Sequence, residues 1–169
     1  FIQACCDVAN MYFTPSRTSA ILKEMTDQYL PYVPDSLRRF GPQWVTWDAK
    51  NHVKSNMQSI ERFYKTRASN FLSMVQDAFD LDTPVVVNIK IKGRDKGEVF
   101  INGRSVEVVN NAQLRLFAGM PLTITAVPAQ GAAFKGWSTS HETAVLEDAS
   151  ALTTQVTFER MFSLTATFE

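Results

Sequence analysis

The spacing of apolar residues changes once along the chain, at Asp82-Thr83-Pro84. Upstream of that point, apolar residues recur every three or four positions, the period of an amphipathic helix. Downstream they alternate, or come in short runs rich in Val, Ile, Thr and Phe separated by Gly and Asn, the pattern of strands and turns. The pattern therefore predicts an α+β chain with its two kinds of structure in series: helices over residues 1–82, then a small all-β sandwich or barrel over residues 84–169.

Within the helical part, Phe1 to Phe13 reads as a helix that stops at Thr14-Pro15. Thr14 is placed to cap the next helix, with Pro15 at its first position, where a missing N–H costs nothing. Ile21, Leu22, Met25 and Tyr29 then share one apolar face, and Pro31 is expected to end that helix. A short helix follows Pro34, through Leu37 and Phe40, to Gly41-Pro42. The longest signal runs from Trp47 to Phe79, with Val53, Met57, Ile60, Tyr64, Phe71, Val75 and Ala78 on its stripe and an expected weak point near Ser55-Asn56.

The β part opens with Val85 to Lys92, where Val85, Val87, Ile89 and Ile91 fall on one face. Gly93 to Gly97 is a turn before Glu98–Ile101, and Asn102-Gly103 suits a two-residue hairpin because both residues tolerate positive φ. Further strands are expected over Val106–Val109, Leu114–Phe117, Leu122–Val127, Ala133–Trp137, Val156–Phe158 and Leu164–Phe168. Strands this short and this closely spaced suit a sandwich or a barrel.

Charge and composition narrow the partners. Lys+Arg and Asp+Glu both number 17, so the formal net charge is zero, and nothing in the overall balance draws the chain to nucleic acid or to an anionic membrane. Lys90, Lys92, Arg94 and Lys96 form a local basic run interrupted by Asp95; it reads as the wet face of a strand. No apolar run approaches the ~18 residues of a membrane helix. The only cysteines, Cys5 and Cys6, are adjacent. They cannot readily pair with each other and are expected to be buried thiols. The sequence begins Phe1-Ile2, inside what reads as a helix, and the expectation is that it is cut from something longer.

Candidate chemistry is sparse. There is no phosphate-binding Gly-rich loop and no catalytic-loop signature of a kinase. Asp77, Asp80 and Asp82 lack the Gly and the closing Glu of a Ca²⁺ loop, and they read as an acidic helix end. His52 and His141 have no GxSxG nucleophile to serve and are expected at the surface. Trp137 has two readings, a core residue or an exposed platform for a ligand, and the pattern around it favours the core. Trp44 and Trp47, three apart, either cap the helices or dock an upstream part of the protein. In the second case an apolar patch over residues 1–47 is expected.

Two resemblances add to this reading. The β part resembles the divergent internalin-type B-repeat of bacterial surface proteins, through Gly97–Gly103, Phe117–Ala126, Val127–Gly131, Phe134–Ser138 and Leu164–Phe168. The helical part resembles the carboxy-terminal end of the spore-coat CotH kinase family. That likeness rests on Phe13–Arg17, Leu37–Gly41, Trp47-Asp48 and Phe63–Arg67, with Phe79 at the end of one more amphipathic stretch. It implies the rear of a kinase-like C-lobe, whose Mg²⁺-binding Asp residues would lie upstream of Phe1. The resemblance thus places no catalytic, cofactor-binding or metal-binding residue in this chain, and it reserves Mg²⁺ and ATP for a full-length parent.

Two functions follow as expectations. The first is a non-catalytic accessory region of a larger CotH-like bacterial protein, with the β domain serving surface display, spacing or partner contact. The second is a free-standing adhesion module that binds a glycan or a protein. Both put the chain at the cell envelope or outside the cell. The expected partners are the upstream part of the same protein and a surface protein or glycan, with no nucleic acid and no membrane insertion.

Overall fold

The computed structural model describes residues 1–41, 49–106 and 112–169, which divide into two compact units: Asp7–Leu72, and Ser73–Glu169 together with Phe1–Cys6. Helices precede a two-sheet β domain, the α+β order expected from the change of period.

The helices are α1 (Ile2–Asp7), continued by a π-helical turn over Val8–Tyr12, then α2 (Pro15–Tyr29), α3 (Val33–Phe40) and α4 (Ala49–Phe79). Thr14 occupies the N-cap of α2 in an extended conformation, but its side chain makes no capping bond. The hydroxyl of Thr18 instead reaches back to the carbonyls of Thr14 (3.0 Å) and Pro15 (3.1 Å). α2 ends at Tyr29, just before Pro31, as expected. Pro31 sits in a single 3₁₀ turn, Leu30–Tyr32, that joins α2 to α3. Proline is tolerated there, and Pro34 in the first turn of α3, because the first donors of a helix have no intrahelical acceptor. α4 runs unbroken through Ser55-Asn56, with the Ser59 hydroxyl donating to the Ser55 carbonyl (3.1 Å). Gly41 and positive-φ Asp80 follow α3 and α4.

The apolar stripe predicted on α2 exists, yet it is not a core face. Ile21, Met25 and Tyr29 are exposed, and no residue of α2 or α3 is buried. Along α4, among the residues whose burial is described, only Leu72 and Val75 are buried, while Ile60 and Ala78 of the predicted stripe face solvent. Periodicity fixes which residues share a face; whether another element covers that face is a separate matter.

The β domain has nine strands among the described residues: β1 (Val85–Lys92), β2 (Gly97–Ile101), β3 (Arg104–Ser105), β4 (Ala112–Leu116), β5 (Leu122–Pro128), β6 (Phe134–Thr139), β7 (Val145–Leu146), β8 (Thr153–Thr157) and β9 (Phe162–Phe168). They form one four-stranded sheet, β4-β1-β9-β6, and one five-stranded sheet, β3-β2-β5-β8-β7. β1 lies antiparallel to β4 and parallel to β9, so the first and last strands of the domain are neighbours in mid-sheet. Asn102 (φ 50°) and Gly103 (φ 75°) turn β2 into β3, the hairpin foreseen from that dipeptide. Of the strand expected over 106–109 only Val106 is described. It lies in no strand, and its N–H donates to the Val99 carbonyl (3.1 Å). β7 had no forecast.

Period-2 alternation becomes a core here. Val87 and Ile89 on β1, Ile101 on β2, Ile124 on β5, Val156 on β8, and Leu164 and Ala166 on β9 have no exposed surface. The sheets meet closely where β2 begins: a Cβ on Gly97 would lie 2.4 Å from the Phe168 ring of β9. Any side chain at 97 would collide with that ring.

Candidate interaction site

Trp137 decides between two kinds of site. β6 pairs with β9 through Trp137 opposite Ala166, which turns the indole inward; it is 5% exposed. Its ring packs on Phe134 at 5.2 Å, and Phe134 packs in turn on Phe168 at 5.5 Å. The loop after β7 holds it from the other side. The Trp137 backbone N–H donates to Ala149 O (2.7 Å) and its indole N–H to Ala151 O (3.0 Å). A buried tryptophan with its one donor satisfied cannot serve as a stacking platform. The core reading is correct.

Sequence reasoning missed that loop, and its order has a local cause. Asp148 accepts bonds from the Ser150 N–H (2.8 Å) and hydroxyl (2.7 Å), while its own N–H donates to buried Thr154 Oγ1 (2.9 Å). The Ser150 bonds hold the Asp148 carboxyl below its ordinary value. The Asp-x-Ser spacing was a readable turn signal.

What remains available for contact is the outside of the two sheets. On the four-stranded sheet the register lines up Gln113, Asn88 and Ser163 in one row, Lys90, Thr165 and Ser138 in the next, then Lys92 and Thr167. Lys90, Lys92 and Ser138 are exposed, and Thr165 and Thr167 are half-buried. The strands of this sheet carry Lys90, Lys92, Arg115 and Lys135 and no Asp or Glu. Lys135 pairs with Glu169 at 3.1 Å. The solvated-face reading of Lys90 and Lys92 agrees with their exposure. The five-stranded sheet turns Glu98, Phe100, Thr123, Thr125, Val127, Thr153 and Gln155 outward, with the Thr125 and Thr153 hydroxyls 3.0 Å apart.

In the unit Asp7–Leu72, Arg67 stacks its guanidinium over three rings: Phe63 (5.4 Å), Phe13 (5.5 Å) and Phe71 (5.8 Å). Phe13 also meets Phe71 edge-on at 5.6 Å. α2, α3 and α4 enclose a groove of about 360 Å³, with Leu22, Val33, Leu37, Val53 and Met57 on its walls and His52 and Asn56 as polar groups. His52 Nε2 lies 3.1 Å from Asn56 Nδ2.

The other candidates are scattered. Asp77, Asp80 and Asp82 are exposed, and among the described residues no group of three His, Cys, Asp or Glu could hold a metal ion. His141 uses Nδ1 to accept from the Thr143 N–H (3.2 Å) within its own loop. Cys5 and Cys6 are buried, as expected. Trp44 and Trp47 lie outside the described residues. Among the described residues, no helix is long and apolar enough to cross a membrane.

A two-sheet domain with an inward Phe-Lys-Gly-Trp segment and a strand pattern closing on Leu164–Phe168 agrees with a comparison against known families. Residues 101–169 match the family model of the divergent InlB B-repeat domain. The B-repeat match begins at the last residue of β2 and runs through β9. The folded domain extends further upstream, because β1, the partner of both β4 and β9, precedes the matched stretch. No curated protein and no solved structure matches the chain.

Proposed function

We propose that this chain is a non-catalytic interaction and display region, in which the B-repeat domain presents the outer faces of its sheets to a partner at the cell envelope or outside the cell. The observation that carries this reading is the division of the domain into a closed core and polar outer faces. The aromatic residue best suited to grip a small ligand, Trp137, is used up inside. Contact must therefore be made by strand faces, with many weak polar groups in place of one deep pocket. The free-standing alternative, an adhesion module for a glycan or protein, shares this surface.

For the helical unit, we propose the rear of a CotH-like C-lobe as its origin. What supports this is that two of the segments carrying the resemblance, Phe13 and Phe63–Arg67, meet in one cation–π cluster. The family comparison reaches no residue before 101. On this reading Mg²⁺ and ATP belong to the full-length parent; among the described residues no group of three His, Cys, Asp or Glu could hold the ion.

The test is to apply the full chain to arrays of glycans and surface proteins, with Mg-ATP hydrolysis assayed alongside. Saturable binding without turnover is the expected result. Blank arrays would end the interaction reading, and turnover above buffer would end the non-catalytic one.

A further inference from the structure

We propose that the outer face of the four-stranded sheet is a binding surface for acidic polysaccharide, with Lys90 and Lys92 contacting its anionic groups and Thr165, Thr167 and Ser138 its hydroxyls. This deepens the interaction-module reading and rests on it.

Charge placement is the first argument. The chain as a whole is neutral, so a sheet that carries only cations is a local arrangement and not a reflection of a basic protein. The acids of the β domain lie off the strands of this sheet. Asp95 is in the turn after β1, between Arg94 and Lys96, and Glu98 is on the five-stranded sheet. Glu142, Glu147 and Asp148 are in the loops around β7, Glu159 is in the turn before β9, and Glu107 is outside the described residues. Glu169, at the margin of the cationic face, is engaged with Lys135. Lys90 and Lys92 are exposed and form no ion pair among the described residues. A concentration of one sign over a low-dielectric slab raises the local density of its counter-ion.

Geometry is the second. Lys90 and Lys92 are two residues apart on one strand, so their stems rise from the same face about 7 Å apart. Thr165 stands opposite Lys90 and Thr167 opposite Lys92, with Ser138 beyond Thr165. The two ammonium groups of β1 thus stand beside a band of hydroxyls on β9 and β6. A polymer that bears both carboxylates and alcohols along its length can satisfy both kinds of group.

The same face argues against nucleic acid. Single strands are held by bases stacked on aromatic rings, and β1, β4 and β9 turn no aromatic residue outward; Phe162 and Phe168 are buried. The neutral chain also lacks the basic excess that marks duplex binders.

The test uses the full chain by biolayer interferometry against immobilised polygalacturonate, with neutral dextran and mixed-sequence duplex DNA alongside, over a range of NaCl. Saturable binding to polygalacturonate that weakens with salt, and no binding to dextran, is expected. Lys90→Gln with Lys92→Gln should weaken binding on the order of tenfold and make the log–log salt dependence shallower by roughly 2. Lys90→Arg with Lys92→Arg should restore it, and Glu142→Gln in the loop before β7 should leave it unchanged. Equal melting temperatures establish that the variants are folded. No binding to polygalacturonate, or binding indifferent to the double Gln substitution, overturns the proposal. DNA bound as tightly as polygalacturonate overturns the choice of polysaccharide. If this assay fails while the glycan and protein arrays are positive, this surface is wrong and the interaction reading stands; if both fail, both fall.

Discussion

The β domain and the helical unit use the same kinds of apolar residue to different ends. In the β domain, alternation along β1, β5 and β9 is translated residue by residue into burial, and Val87, Ile124 and Leu164 have no surface left. In the unit Asp7–Leu72, the period on α2 is equally regular, yet Ile21, Met25 and Tyr29 lie open to solvent. The nearest thing to a specific packing device there is a guanidinium among three phenyl rings. A sheet face closes when another sheet lies over it, and both sheets are present here. An isolated amphipathic helix face has no such guarantee. The two regions therefore teach that a hydrophobic pattern specifies a face, while stability comes from the element that covers it.

This contrast can be broken by substitution, with local stability read by hydrogen exchange on peptides from each unit. The largest effect is expected at Trp137→Ala, which removes a buried ring and the indole bond to Ala151, at a cost of about 3–5 kcal/mol in the β domain. A loss under about 1 kcal/mol would mean that the closed core is not what holds the domain. Next is Arg67→Gln, which deletes the cation–π contacts to Phe13, Phe63 and Phe71. About 1 kcal/mol should be lost in the helical unit, and a loss matching that of Trp137→Ala would erase the difference between the regions. Smaller still, Met25→Ser on the exposed stripe should change stability by no more than about 0.5 kcal/mol; a large loss would reveal a covered face.

Asp148→Asn should have the smallest effect, legible only as a change in pH dependence. Because Ser150 holds the folded-state pKa of Asp148 below its unfolded value, the stabilisation is present above the ordinary carboxylate range. It is lost as pH falls through the folded-state value. Thermal melts of parent and variant should differ at neutral pH and converge in acid. A constant difference across that range would show that the carboxylate is not the source.

Much of this could be read from the sequence, for reasons that differ by residue. β1 was legible because its inward positions are all Val or Ile, and the β2–β3 turn because Asn102-Gly103 fits few other conformations. The inward position of Trp137 followed from its neighbours in Phe-Lys-Gly-Trp. The pairing of β1 with β9 was not legible, since period 2 tells which side of a strand is buried and nothing about which strand lies beside it. β7, two residues long, carries no period at all. The π turn over Val8–Tyr12 and the continuity of α4 past Ser55 depend on backbone bonding that similar side chains would support in either form. For the interaction surface, the lysines of β1 were visible from the start. The hydroxyls that line up beside them belong to strands far away in the chain, and only the register brings them there.

The parallel pairing of β1 with β9 also sets how the domain answers to force. β1 enters the sheet at Val85 and β9 leaves it at Phe168, at opposite ends of neighbouring parallel strands. Tension applied between those two points slides one strand along the other, and the ladder from Val87–Phe162 to Lys92–Thr167 is loaded in shear. All of its bonds must then yield together, whereas a hairpin pulled at its open end unzips one bond at a time. A module held in this way between a helix and its own last strand behaves as a mechanical clamp.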